Sequence, residues 1–125
     1  VIVAKHGLLA AARVRQELPG TRRVIVARAD GIALYDDVPL EQRDGAAALT
    51  AAVNGLAATA ATSFDLGMAG ASITIAEGGA LVVCPIDAGH LLAILTDAEA
   101  DLLRAATLAG QEAERLRVLS GMRIS

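Results

Sequence analysis

Apolar and polar positions alternate along this chain in several distinct rhythms. Between residues 5 and 18, Leu8, Ala11, Ala12, Arg15 and Leu18 fall at helical spacing, and Pro19-Gly20 stops the run. The β-branched stretch Val24-Ile25-Val26-Ala27 reads as a strand. Asp30-Gly31 then offers a two-residue turn, because both residues tolerate positive φ. Ile32 to Tyr35 is the return strand, closed by Asp36-Asp37-Val38-Pro39. A second helix is expected from about Glu41 to Ser63, with Leu49, Val53, Leu56, Ala60 and Phe64 as its inward stripe.

Three strands follow. Ala71 to Glu77 alternates, with Ile73 and Ile75 on one face and Ser72 and Thr74 on the other. Gly78-Gly79 turns the chain into the apolar run Ala80 to Cys84, and Asp87-Ala88-Gly89 turns it again into His90 to Leu95. A third helix is expected to open at Thr96-Asp97-Ala98-Glu99, whose spacing fits a capping box. Its inward stripe would be Leu102, Ala106, Ala109, Ala113 and Leu116, ending at Gly121.

The predicted order is helix-strand-strand-helix-strand-strand-strand-helix. With tight turns between strands, this is an α/β protein of the α+β type with a mainly antiparallel sheet. Val24–Ala27, Leu81–Cys84 and Leu91–Leu95 are apolar on both faces, so helices should cover both sides of the sheet. Ala71–Glu77, with one polar face, reads as an edge strand.

The second helix breaks the usual pattern. Opposite its expected stripe lie Ala47, Ala51, Asn54, Ala58 and Thr62, and no charge occurs from Gly45 to Phe64. A surface helix normally carries charge on that side. Either the helix is an exposed, alanine-rich one, or this second face is buried against another copy of the chain, with Asn54 setting register. The uncharged stretch is long enough to span a bilayer. However, its alanines and Thr50, Asn54, Thr59, Thr62 and Ser63 give it too little Leu, Ile, Phe and Val for insertion.

Composition narrows function mostly by exclusion. The 125 residues fit one domain, 1–125, and the apolar fraction of 54% with mean hydropathy +0.52 argues against disorder. Tyr35 and Phe64 are the sole aromatics, too few for base stacking, and net charge −3 gives no global field for nucleic acid. Cys84 has no partner for an internal disulfide, which suits a reducing, cytoplasmic compartment. No signal-peptide pattern follows Lys5, Arg13 and Arg15.

No catalytic, cofactor-binding or metal-binding residue is expected. His6, His90 and Cys84 match no metal spacing, and His90 and Cys84 read as a strand-end histidine and a buried small hydrophobe. Neither a phosphate loop nor a nucleophile elbow occurs, and Gly67-Met68-Ala69-Gly70 precedes no helix start. Asp36, Asp37, Asp97, Glu99 and Asp101 read as caps and solvated turns. Charge is lopsided: residues 1–30 carry +4 and the remainder −7. Arg22 and Arg23 are therefore candidate docking residues for an acidic partner, against the simpler reading of a solvated loop.

Taken in order, these stretches resemble the roadblock / dynein light-chain domain family. The match rests on Gly20-Thr21-Arg22-Arg23-Val24-Ile25-Val26-Ala27-Arg28-Ala29-Asp30-Gly31-Ile32-Ala33-Leu34 and on Asp44 to Ala58. It continues through Ile73-Thr74-Ile75, Gly78-Gly79-Ala80-Leu81-Val82-Val83 and Gly89-His90-Leu91-Leu92-Ala93-Ile94-Leu95. It covers about residues 5–119. The resemblance implies a roadblock/longin-like five-stranded antiparallel sheet between helices. It also implies a homodimer in which the second helices meet and edge strands pair across the two-fold. The expected interface is Ala47, Ala51, Asn54, Ala58, Thr62, Ser72, Ile73 and Thr74. Family members are scaffolds and regulators rather than enzymes, and bacterial ones partner small Ras-like GTPases. The implied function is a non-enzymatic, dimeric regulator of such a GTPase, with no cofactor, no nucleic acid and no membrane insertion. The alternative is a small-molecule-sensing regulatory domain, which needs a concave pocket with convergent polar groups.

Overall fold

A computed structural model describes residues 1–43 and 45–121. Helix α1 (Ala4–Glu17) is followed by β1 (Thr21–Arg28), β2 (Ala33–Asp36), a 3-10 turn (Leu40–Gln42) and α2 (Ala46–Ser63). Then come β3 (Ser72–Ala76), β4 (Gly79–Asp87), β5 (His90–Thr96) and α3 (Leu102–Gly121). The five strands form one antiparallel sheet in the order β2-β1-β5-β4-β3. The strands read as apolar on both faces are the three central ones, and β3 is an edge, as its polar face suggested.

Alternation along the strands sorts the core into two layers. Val24, Val26, Val82, Cys84, Ile86, Leu92 and Ile94 point to one face, where α1 and α3 cover them with Val14, Leu18, Leu108 and Leu116. Ile25, Ala27, Val83, Leu91 and Ala93 point to the other face, under α2. Helix α1 comes very close to β2. A Cβ added at Gly7 would sit 2.3 Å from Tyr35 Cβ, so only glycine fits there.

Two helix starts differ from the sequence expectation. α2 begins at Ala46 after the separate 3-10 turn. Asp44, which opens the stretch likened to the family's second helix, lies outside the described residues. Thr96 does not cap α3. It is buried in β5, and its hydroxyl donates to Asp97 O (2.9 Å). Asp97 instead accepts from Glu99 N (2.9 Å) in a local turn, and the α3 cap is Asp101, which accepts from Arg104 N (3.1 Å). Two acidic residues four apart compete for the cap, and the longer pairing of β5 decides between them.

Candidate interaction surfaces

α2 meets the sheet mainly through its small residues; of its expected stripe Val53 packs there, while Leu49, Leu56 and Phe64 do not. Ala47 (6% exposed), Thr50 and Ala61 are the buried residues, and Ala51 packs on the same cluster. Half a turn away, Leu49 and Leu56 are 62% and 72% exposed. Phe64, at the helix end, is 75% exposed. The physical reason is the lack of any polar side. A helix with charge on one face is oriented by that charge. α2 has none, so close packing decides, and small residues let it approach a sheet already filled by Val83, Leu91 and Ile25. The β1–β2 turn reinforces this at the helix start, where a Cβ on Gly31 would lie 3.2 Å from Ala48 Cα.

The expected interface residues therefore separate. Ala47 is buried in the chain's own core, and Ala51, half-buried, packs against the same cluster. Asn54 is half-buried and Ala58 and Thr62 are exposed, on the same side of α2, where it overhangs a groove. Ser72, Ile73 and Thr74 lie in β3, whose outer edge pairs with no strand among the described residues; Ser72 is half-buried and the other two are exposed. Missed by the sequence reading were Leu49, Leu56, Leu66 and Met68 as exposed apolar residues of α2 and its exit loop; Ile75, paired with Ala80, is exposed on the opposite, α1/α3 face of the sheet. The clue was available: the seven-residue step from Leu49 to Leu56 is two turns of one helix face.

α2 ends in a left-handed stop. Leu66 N donates to Ala61 O (2.8 Å) and Asp65 N to Thr62 O (3.2 Å), with Asp65 at φ 55° where glycine is usual.

Charge at the amino end is mostly spent internally. Arg13 holds Glu112 through two bonds (2.6 and 2.9 Å), Arg15 pairs with Asp37, and Arg28 pairs with Asp30 (2.7 Å). Arg23 clamps the buried Asp36 carboxylate at 2.8 and 2.6 Å, and that hydrogen bonding raises the guanidinium pKa further. This corrects the docking expectation for Arg23. Asp36 faces Ile25 across the ladder, so Arg23 two residues on is its diagonal neighbour on one face. Asp36 is likewise no solvated turn residue. Arg22 remains exposed, and its side chain has no ion pair among the described residues.

His90 and Cys84 match their simple readings. His90 Nδ1 bonds Asp87 Oδ1 (2.8 Å) at the strand end. Cys84 is buried, and burial pushes its thiol pKa up, away from nucleophilic character. Burial also pushes the Asp87 carboxyl up, but bonds from Ser120, His90 and Gly89 N outweigh it and hold the group below the usual range. Among the described residues no His, Cys, Asp and Glu group is placed to hold a metal ion, and no helix is long and apolar enough to cross a membrane.

The fold defined by this sheet and these layers is that of the roadblock/LC7 domain. A roadblock/LC7 domain from Streptomyces avermitilis superposes with a TM-score of 0.80 at 21% identity, over 89% of this chain and 94% of that one. An MglB with a tetrameric arrangement gives 0.80 at 17% identity, covering 93% and 88%. Myxococcus xanthus MglB gives 0.79 at 13%, covering 93% and 94%. No family model matches the sequence, and no curated protein does.

Proposed function

We propose that this chain is a roadblock-type adaptor that forms a homodimer, binds a small Ras-like GTPase and modulates its nucleotide cycle without performing chemistry itself. One observation carries the reading: Leu49, Leu56 and Phe64 are exposed on α2, and β3 at the end of the same sheet has an open outer edge among the described residues. Exposed large apolar series mark interaction sites, and unpaired edges invite a strand. A two-fold axis beside β3 satisfies both, pairing β3 with its copy and bringing the outer stripes of two α2 helices together. The interface then consists of Leu49, Leu56, Phe64 and β3, in place of Ala47 and Ala51. The structural likeness to MglB, one example of which has a tetrameric arrangement, supports self-association. The GTPase partner follows from the family resemblance. The chain would order the partner's switch loops, leaving hydrolysis to the partner's own groups. Free, buried Cys84 suits a cytoplasmic setting.

Light scattering tests the dimer. The wild type should show twice the 12.7 kDa chain mass, and Leu56→Glu should give the monomer or aggregates. A wild-type monomer at high concentration overturns the reading. The partner is tested by titrating the chain with a purified bacterial Ras-like GTPase, loaded with GDP or a GTP analogue. State-dependent binding supports the proposal, and equal absence of binding in both states removes it. Calorimetry of the chain alone with GTP or ATP should show no heat of binding.

A further inference from the structure

The sheet has two edges, and they are built differently. β3 is bare. From Ile73 to Ala76 every residue is exposed, and the strand carries no charge and no proline. It pairs with β4 in an unbroken register from Ser72 to Ala76. β2 is closed. Its first three residues are half-buried and its last, Asp36, is 1% exposed. Its register with β1 is broken between Val26 and Ala27.

The cover over β2 comes from the segment leading to α2. Asp37 N donates to Val24 O (3.4 Å), so the next pair along the ladder, Ile25 with Asp36, is of the kind whose main-chain groups point away from each other. The Asp36 carbonyl therefore lies on the outer edge, where a further strand would bond. Arg43 occupies it. Its Nη2 donates to Asp36 O (2.6 Å) and its Nε to Val38 O (2.9 Å). Between these anchors lie Pro39, which has no N–H to offer a strand, and the 3-10 turn Leu40–Gln42. The turn is closed by Gln42 N to Pro39 O (2.8 Å) and Arg43 N to Leu40 O (3.2 Å). Asp36 is thus held twice, its carboxylate by Arg23 and its carbonyl by Arg43. Bonds from a charged donor are the stronger kind, and the planar fork reaches two oxygens at once.

We propose that Arg43 locks this segment over β2 and so confines self-association to β3, making the assembly a closed pair of chains. Two free edges on one chain would let β2–β2 and β3–β3 pairings alternate without end, as an open sheet. One free edge stops at two chains. The occupant that the lock excludes is a second copy of this chain, pairing β2 with its own counterpart. The expected wild-type size rests on the β3 dimer of the proposed function. The lock on β2 does not.

Sedimentation velocity of the full chain over about a hundredfold range of concentration tests the proposal. The wild type should stay at two chains. Arg43→Ala, with its circular dichroism unchanged, should rise to about twice that mass or more at the top of the range. The substitution takes the net charge from −3 to −4, which opposes association, so growth would come from the uncovered edge. Arg43→Gln loses the charged fork and should also grow, to a smaller extent; it carries the test if Arg43→Ala fails to fold. Thr74→Lys places a charge on the bare edge and should give a monomer. Thr74→Lys combined with Arg43→Ala should reach two chains, through β2, and stop there. Wild-type mass in folded Arg43 variants at every concentration, growth only with loss of native dichroism, or a monomeric double variant overturns the proposal. A monomeric wild type beside a dimeric Arg43→Ala supports the lock and overturns the β3 dimer instead.

Discussion

On one face of the sheet, α1 and α3 bury Leu18, Leu92, Ile94 and Leu116 completely and lock together through Arg13 and Glu112. On the other face, α2 lays alanines and a threonine on a smaller cluster and leaves its leucines in solvent. The first layer is a finished interior. Large side chains point in, and Glu112, 3% exposed and buried deeper than any residue type of its kind usually is, has both Arg13 and Arg115 (3.2 Å) as partners. The second layer uses mostly small residues, with Val53, for its own sheet and presents Leu49 and Leu56 outward. The contrast teaches that the apolar moment of a helix need not point at its own core. Where a helix has no polar side, the smaller face packs inward and the larger one is left for association.

The contrast is broken most directly by equal truncations on its two sides. Leu92→Ala, in the finished layer, should cost about 3 kcal/mol of folding stability. Leu56→Ala should cost about 0.5 kcal/mol or less, since its side chain is largely in water already, while weakening self-association. Urea unfolding of the two variants decides it, and a cost at Leu56 matching that at Leu92 would show the stripe to be core.

The two adjacent arginines sharpen the picture at the sheet end. Arg23→Ala strips the buried Asp36 carboxylate of its partner and should cost about 3 kcal/mol. Arg22→Ala, in solvent, should change stability by about 0.5 kcal/mol or less. Thermal melts compare them, and any partner docking by this end should respond to Arg22 alone.

Gly7→Ala tests how tightly the finished layer is closed. The new methyl would lie 2.3 Å from Tyr35 Cβ, so α1 must shift, at about 2 kcal/mol. Gly55→Ala, on α2 with nothing within 4 Å, should instead raise helix stability by about 1 kcal/mol. Circular dichroism melts of both should move in opposite directions.

The smallest effect concerns acid. The Asp87 carboxyl is held below its usual pKa in the folded chain, so it contributes stability above the unfolded value of about 4. That contribution is lost as pH falls through the lower folded value. Ser120→Ala removes the 2.6 Å bond to Asp87 and should lower stability slightly at pH 7, with the difference from the wild type vanishing as pH falls below the folded pKa, so that the acid limb flattens. An unchanged acid limb would show that Ser120 does not hold the carboxyl down.

Much of the architecture was legible from the residues. Turn chemistry at Asp30-Gly31 and Gly78-Gly79 marked the hairpins, the second turn falling one residue earlier, at Glu77-Gly78, with Gly79 already paired to Ala76. Runs such as Leu91–Leu95 announced strands covered on both faces, and the polar row of Ser72 and Thr74 announced an edge. These features are local, so a short stretch of sequence suffices to state them. In α3, Ala109, Ala113 and Leu116 were placed inward correctly, whereas Glu112 was not singled out, because its burial depends on an arginine 99 positions away. The candidate site was legible only in outline: an uncharged helix and an edge strand.

The sequence by itself determined the order of elements, the central and edge strands and the absence of charge on α2, because each depends on spacing along the chain. Only the tertiary structure decided which side of α2 meets the sheet, that Arg23 belongs to Asp36, and that β4 outruns β3 to leave a groove. Each of these is settled by groups far apart in sequence competing for the same space. Periodicity carries no information about which of two apolar faces packs more closely, and spacing carries none about which carboxylate an arginine reaches.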